Sequence, residues 1–114
     1  MKKSLFIIIL LSISLSAFTC EDSLSLPCDN NEWLQDQVDA MKRNRSQDGI
    51  IEQYEYEGQV VISINACVGC ADAMTIVYDC TGRELCKFGG IAGFNTCPEF
   101  DDVAVFVKVI FESN

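Results

Sequence analysis

The spacing of apolar residues changes along the chain, from a helical period before residue 50 to β-strand alternation after it. Between residues 29 and 44, apolar side chains recur at intervals of four and three residues, which predicts one amphipathic helix. Asp29 followed by Glu32 resembles a capping box, in which side chains satisfy unpaired backbone donors at a helix start. The apolar residues that recur are Leu34, Val38 and Met41.

The remainder of the chain reads mainly as antiparallel β-structure. Ile51 to Glu57 alternates in polarity, and this alternation places Tyr54 and Tyr56 on one face. A short helical turn is predicted near Pro98, where acidic residues follow the proline. We expect an α+β fold with one N-terminal helix packed on a small antiparallel sheet of four to five strands. The other predicted strands are 59–65, 75–79, 83–88 and 106–112.

The start of the chain predicts export. Residues 1–19 combine two lysines with a short apolar run, which is typical of a signal peptide. Residues 20–27 read as a polar tether, and residues 28–114 as a single disulfide-rich domain. Cys20 follows the apolar run directly, at the position where bacterial lipoproteins are acylated. We therefore expect a cell-envelope protein anchored through a lipid on Cys20, with a soluble secreted product as the alternative.

The cysteine count supports this interpretation independently. The chain has seven cysteines, an odd number, so lipidation of Cys20 leaves six that can form three disulfides. In an exported protein these six predict a disulfide framework, which would staple the domain. Their pairing is not determined by the sequence, since six cysteines allow 15 pairings. They are Cys28, Cys67, Cys70, Cys80, Cys86 and Cys97.

Strand geometry restricts the pairing in one respect. If Thr81 and Gly82 form a two-residue turn, Cys86 lies opposite Val77, and Cys80 and Cys86 point to opposite faces of the hairpin. A three-residue turn would reverse this. We expect each of them to bond outside that hairpin. Cys28 must also have a distant partner, because it lies at the start of the helix.

Cys67 and Cys70 form the sharpest motif, a Cys-x-x-Cys pair. One interpretation is a redox dithiol, which normally requires a strand before the motif and a helix after it. A four-thiolate zinc site is a second interpretation, but zinc requires reduced thiolates in an oxidising compartment. We expect a structural disulfide, no metal site and no cofactor.

Composition excludes several functions. The chain has no histidine, so catalytic triads and histidine-containing zinc sites are excluded. Its net charge is −9, and removal of Lys2 and Lys3 with the signal peptide would make it more negative. Nucleic acid is therefore an unsuitable partner, because phosphate binding requires clustered basic residues.

Three further features have a structural and a functional interpretation. The glycine-rich segment 89–93 lacks the residues of a phosphate-binding loop and is expected to be structural. Glu99, Asp101 and Asp102 fit an acidic helix start better than a calcium site. Most aromatic residues are expected in the core, whereas Phe88 and Phe94 are candidates for ligand binding.

The order of several motifs resembles a known family. These are YEYEGQVV at 54–61, VYD at 77–79, a Gly-Gly loop at 89–90 and CPEF at 97–100. Together they resemble the small Bacteroidota lipoproteins of domain-of-unknown-function family 6970. Relatives typically have adjacent cysteines where this chain separates Cys67 from Cys70, and a different loop at 93–96.

The resemblance implies a lipoprotein signal, one helix and a hairpin, and it implies no activity. We expect an uncharacterised envelope lipoprotein whose domain binds an unidentified protein or small molecule. A thiol-disulfide oxidoreductase using Cys67 and Cys70 and a small secreted inhibitor are the alternatives.

Overall fold

The computed structural model describes residues 26–44 and 46–113, which form an α+β domain built on one antiparallel sheet of six strands. The strand order across the sheet is β5-β4-β3-β2-β1-β6. The helices are α1 (Glu32–Arg43) and α2 (Phe100–Val103). The strands are β1 (Ile50–Tyr56), β2 (Gln59–Asn65), β3 (Met74–Asp79), β4 (Glu84–Gly89), β5 (Phe94–Asn95) and β6 (Val105–Glu112).

The fold class is confirmed, but the predicted strand number is wrong. The strand that the sequence did not predict is β5, which follows the glycines of the glycine-rich segment and contains two residues. Phe94 pairs with Gly89, and the backbone N–H of Thr96 donates to the carbonyl of Lys87 at 2.9 Å. A strand of two residues is too short to produce a visible alternation, so pairing with β4 alone defines it.

Helix α1 begins at Glu32, so the predicted start at residue 29 is wrong. Asn31 is the N-cap residue, and the side chain of Asn30 accepts a hydrogen bond from the backbone N–H of Glu32 at 3.3 Å. Asn31 instead accepts a bond from the backbone N–H of Cys28 at 2.8 Å. The residues before α1 therefore form a turn around Cys28, and Asp29 is exposed rather than part of a capping box.

The first core lies between α1 and one face of the sheet, which we call the helix-covered face. Strand alternation directs the apolar side chains of β1 and β2 towards the apolar stripe of α1. Burying a side chain of this size stabilises a fold by about 1.5–3 kcal/mol. The buried residues of this core include Leu34, Val38, Met41, Ile51, Ile62, Ile64 and Ile110.

A disulfide and a tryptophan attach α1 to the β3–β4 turn. Cys28 is bonded to Cys80 across 52 residues, with the Cα atoms 5.3 Å apart. The Trp33 indole N–H donates to the carbonyl of Cys80 at 2.9 Å, and its ring lies 5.6 Å from that of Tyr78. Gly82 has a φ of 88°, and a Cβ there would lie 3.0 Å from the indole, so the turn fits closely beneath the tryptophan.

The second core lies on the other side of the sheet, which we call the opposite face. The Cys86–Cys97 disulfide ties the segment before α2 to β4, and this places Phe100 over the sheet. Phe100 is 3% exposed. Its ring centroid lies 5.0 Å from Tyr54, 5.2 Å from Tyr56 and 5.7 Å from Phe88. The prediction that both tyrosines share one face is therefore confirmed.

The three disulfides also settle the pairing that the sequence left open. Cys86 lies opposite Val77, and it bonds to Cys97, whereas Cys80 bonds to Cys28. The expectation that neither bonds within its own hairpin is confirmed, but the two-residue turn assumed for it is wrong. The backbone N–H of Asp79 donates to the carbonyl of Arg83 at 3.0 Å, so the turn has three residues, and a register shift after Val77 brings Cys86 opposite it. The third disulfide joins Cys67 to Cys70. Within the residues described, no helix is long and apolar enough to cross a membrane.

We expect the disulfides to stabilise the domain unequally. In the chain-entropy model, closing the 52-residue separation contributes about 4 kcal/mol, and closing the three-residue separation about 2 kcal/mol. The double variant C28A/C80A should therefore lose more free energy of unfolding than C67A/C70A. Urea denaturation of the two matched variants measures this, and equal losses would contradict the role assigned to Cys28–Cys80.

Candidate ligand-binding site

A cleft opens on the opposite face of the sheet, next to the aromatic residues around Phe100. Its volume is about 370 Å³, which is within the range of pockets that hold small molecules. Strands β1, β2 and β3 form its floor, and the end of β6 and two loops form its walls. The lining residues are Asp48, Gly49, Ile50, Glu52, Ser63, Asn65, Val68, Thr75, Glu112 and Ser113.

Strand register places four polar side chains of the floor together. Glu52 of β1 lies directly opposite Ser63 of β2, and Asn65 of β2 lies directly opposite Thr75 of β3. Because side chains alternate along a strand, Ser63 and Asn65 point to the same face. The Asn65 amide donates to the Thr75 hydroxyl at 3.5 Å, a long contact.

Ser63 is the most enclosed polar residue of the cleft. It is 3% exposed, and its neighbours Ile62 and Ile64 face the other core. Among residues 26–44 and 46–113, no side chain or backbone group forms a hydrogen bond with its hydroxyl. No fully enclosed side-chain oxygen or nitrogen of the described residues lacks a hydrogen-bond partner, so the Ser63 hydroxyl opens into the cleft and is available to a group that enters it.

The cleft carries negative charge. Burial raises the pKa of Glu52, and repulsion from the Glu112 carboxylate raises it further. Asp48 adds a third carboxylate to the wall, and the lining contains no lysine or arginine. The cleft therefore favours a ligand that brings positive charge or hydrogen-bond donors.

The Cys67–Cys70 disulfide lies at the rim. It closes a tight loop in which the backbone N–H of Cys67 donates to the Asn65 side chain at 3.0 Å. The backbone N–H of Val68 donates to the carbonyl of Asp48 at 2.6 Å, joining two walls of the cleft. These bonds hold Val68 at the edge of the cavity, where its side chain is 52% exposed.

The two aromatic candidates from the sequence are separated by the structure. Phe88 lies in the second core against Phe100, whereas Phe94 is 49% exposed. Phe94 pairs with Gly89, the residue after Phe88, so the two rings lie on opposite faces. The Lys87 ammonium lies 5.8 Å from the centroid of the Phe94 ring. Ligand binding by either ring stays a prediction.

The acidic candidates near α2 are not among the residues that line the cleft. Cys20 and the predicted signal peptide fall outside the described residues. Glu99, Asp101 and Asp102 are exposed around α2. Among the residues that the structure describes, no group of three or more acidic or cysteine side chains is placed to hold a metal ion.

The residues of the cleft that the sequence did not predict include Glu52, Ser63, Thr75 and Glu112. One signal was present: Ser63 interrupts the apolar run of β2, whose central residues are buried on both faces of the sheet. A serine in such a strand indicates a polar site or a hydrogen-bonded core. The strand register was needed to bring Glu52 to it.

Comparison with known families identifies the domain. Residues 36–113 match the family described as Domain of unknown function (DUF6970). The chain belongs to this family. The resemblance drawn from the motifs is thereby confirmed, whereas a Bacteroidota origin stays a prediction. Neither the curated proteins nor the solved structures contain a match to the chain.

The DUF6970 match includes every residue of the cleft. The match begins at residue 36, within α1, and therefore leaves out Cys28, although it contains the bonding partner Cys80. The Cys28–Cys80 disulfide therefore attaches the segment before the matched region to the β3–β4 turn.

We predict that Glu52→Gln raises the free energy of unfolding at neutral pH. The native state raises the pKa of Glu52, so it favours the protonated form, and ionisation of the carboxyl opposes folding. Removing repulsion between neighbouring like charges should yield about 0.2–1 kcal/mol.

The gain should be largest above the native pKa of Glu52 and disappear as the pH falls below its unfolded value. Urea denaturation across that pH range measures the gain in the free energy of unfolding. Asp48 and Glu112 are the other two carboxylates that line the cleft with Glu52. Glu57→Gln, in the exposed β1–β2 turn, is the control. A gain independent of pH would contradict the assignment.

Proposed function

We propose that this DUF6970 chain is an exported envelope lipoprotein whose disulfide-held domain binds a ligand and does not catalyse a reaction. The observation that carries the proposal is the pairing of all six cysteines of residues 26–113 in three disulfides. Disulfides persist in oxidising compartments and are rare in the cytosol. With these six paired, Cys20 is the one cysteine left for a different role.

The binding interpretation is supported by the cleft. It combines a floor on rigid strands, an enclosed hydroxyl and a charged wall, the features of a small-molecule site. The Cys67–Cys70 disulfide has a structural role there, because its loop holds Val68 and Asp48 together.

The oxidoreductase alternative is less well supported. Redox dithiols depend on a lowered thiol pKa, which a helix N-terminus or a basic neighbour provides. After Cys70 the chain forms turns and then enters β3, with no helix between them. The loop contains Asp72 and no basic residue, and a nearby negative charge disfavours a thiolate.

The secreted-inhibitor alternative has one observation in its favour. The Cys86–Cys97 disulfide closes a loop that exposes Ile91 and Phe94, at 81% and 49%. Rigid loops of this kind lose little conformational entropy on binding. This alternative requires a soluble product, whereas the lipoprotein requires an acylated Cys20.

Two measurements test the proposal. Mass spectrometry of the mature N-terminus should find acylated Cys20 as the first residue, because cleavage would precede it. An unmodified Cys20, or cleavage at another position, would remove the lipoprotein and favour a soluble product.

A thiol-exchange assay tests the absence of redox catalysis. The oxidised protein should not accelerate exchange with a model disulfide substrate beyond the C67A/C70A variant. Acceleration that is lost in this variant would establish the oxidoreductase instead.

A further inference from the structure

We propose that the cleft binds the protonated amino group of a small organic ligand, with Glu52 and Ser63 as its principal contacts. The inference depends on the proposed function, because it names the class of ligand for the same binding domain. It is carried by the cleft's hydroxyl, its charge and the arrangement of its acidic groups.

The Ser63 hydroxyl is the first argument. It belongs to a residue that is 3% exposed and lines the cleft, and it has no hydrogen-bond partner among the described residues. Because this hydroxyl opens into the cleft, it can accept a hydrogen bond from a donor group that enters there. Because Glu52 lies directly opposite Ser63, one donor group can contact both side chains.

Charge is the second argument. Glu52, Glu112 and Asp48 line one cavity without a basic residue among its walls. Glu52 is repelled by Glu112 and is partly removed from solvent. A cation beside Glu52 offsets both effects, whereas a neutral ligand offsets neither. The chain's net charge of −9 also attracts cations to the surface.

The arrangement of the acids favours an ammonium group over a metal ion. A calcium ion requires six to eight oxygen ligands that converge on one point. In the described part of the chain, no three acidic or cysteine side chains converge in that way. An ammonium group is satisfied by three acceptors, and Glu52, Ser63 and Thr75 lie on adjacent strands of the floor.

The apolar walls suit the carbon skeleton of such a ligand. Ile50 lies on the floor two residues before Glu52, and Val68 lies at the rim. An amine entering between them would place its charge against the strands and its alkyl chain towards Val68. A cavity of about 370 Å³ accommodates a small amine with room for further polar groups.

The test uses n-butylammonium as the probe and n-butanol as its neutral counterpart. Each is titrated into the full-length oxidised protein, labelled with ¹⁵N, and followed by amide chemical shifts. We expect n-butylammonium to shift the amides of Glu52, Ser63 and Thr75 in a saturable manner. n-Butanol should bind at least tenfold more weakly, because it has no charge to pair with Glu52.

Three variants locate the contacts. Glu52→Gln should weaken n-butylammonium binding about tenfold or more, and Ser63→Ala about fivefold. Asp36→Asn is the matched control, since it removes one negative charge from the exposed surface of α1 and should change affinity less than twofold. The amide spectrum of each variant reports its folding in the same experiment.

Several outcomes would overturn the inference. The inference is wrong if n-butylammonium gives no saturable shift, or if n-butanol binds as tightly as n-butylammonium. It is also wrong if Glu52→Gln leaves the affinity for n-butylammonium unchanged, or if Asp36→Asn weakens binding as much as Glu52→Gln does. Tighter binding of Ca²⁺ than of n-butylammonium at the same amides would equally contradict it. Each would remove the amine assignment alone, because N-terminal mass and thiol exchange test the proposed function separately.

Discussion

The Cys28–Cys80 disulfide and the Trp33 hydrogen bond beside it fix helix α1 to the sheet. The disulfide closes 52 residues, and the Trp33 indole donates to the carbonyl of Cys80 itself. A covalent and a polar contact therefore act on the same turn. The domain is small, and cross-links compensate for the limited core that a chain of this size can bury. With α1 fixed, the apolar side chains of β1 and β2 have a permanent cover.

This arrangement gives the two faces of the sheet different roles. The helix-covered face is filled by aliphatic side chains from α1 and the strands. The opposite face is covered only in part, where the Cys86–Cys97 disulfide holds Phe100 against the tyrosines. Beyond Phe100 the same face carries the cleft, with Ser63 and Glu52 at its floor. The remaining disulfide, Cys67–Cys70, stabilises the rim. The three disulfides thus hold three different parts of the fold: α1, the segment before Phe100, and the loop that contains Val68.

Periodicity predicted much of this fold. Helical spacing identified the buried face of α1. Cys80 and Cys86 bond outside their hairpin as expected, but through a three-residue turn and a register shift that the sequence pattern did not predict. The helix start was misjudged because the side chain of Asn31 bonds to the turn around Cys28, which a local capping pattern does not reveal. Strand β5 was missed because two residues carry no periodicity.

The cleft was missed for a different reason. Glu52 and Ser63 are 11 positions apart in sequence, and each has an ordinary place in an amphipathic or buried strand. The register of β1 with β2 places Glu52 opposite Ser63. The position of β6 then brings Glu112 to the same cavity. Phe88 and Phe94 illustrate the converse, since both are ligand-binding candidates from the sequence and the pairing of β4 with β5 places their rings on opposite faces. Register is a long-range property, and single-sequence patterns report mainly on local structure.

The disulfide connectivity is the property to measure first, because both cores and the rim of the cleft depend on it. Proteolysis of the oxidised protein without reduction, followed by mass spectrometry of the linked peptides, measures it. We expect three links, Cys28 to Cys80, Cys67 to Cys70 and Cys86 to Cys97. A link from Cys28 to any other cysteine, or free thiols at Cys67 and Cys70 in the oxidised protein, would contradict this expectation.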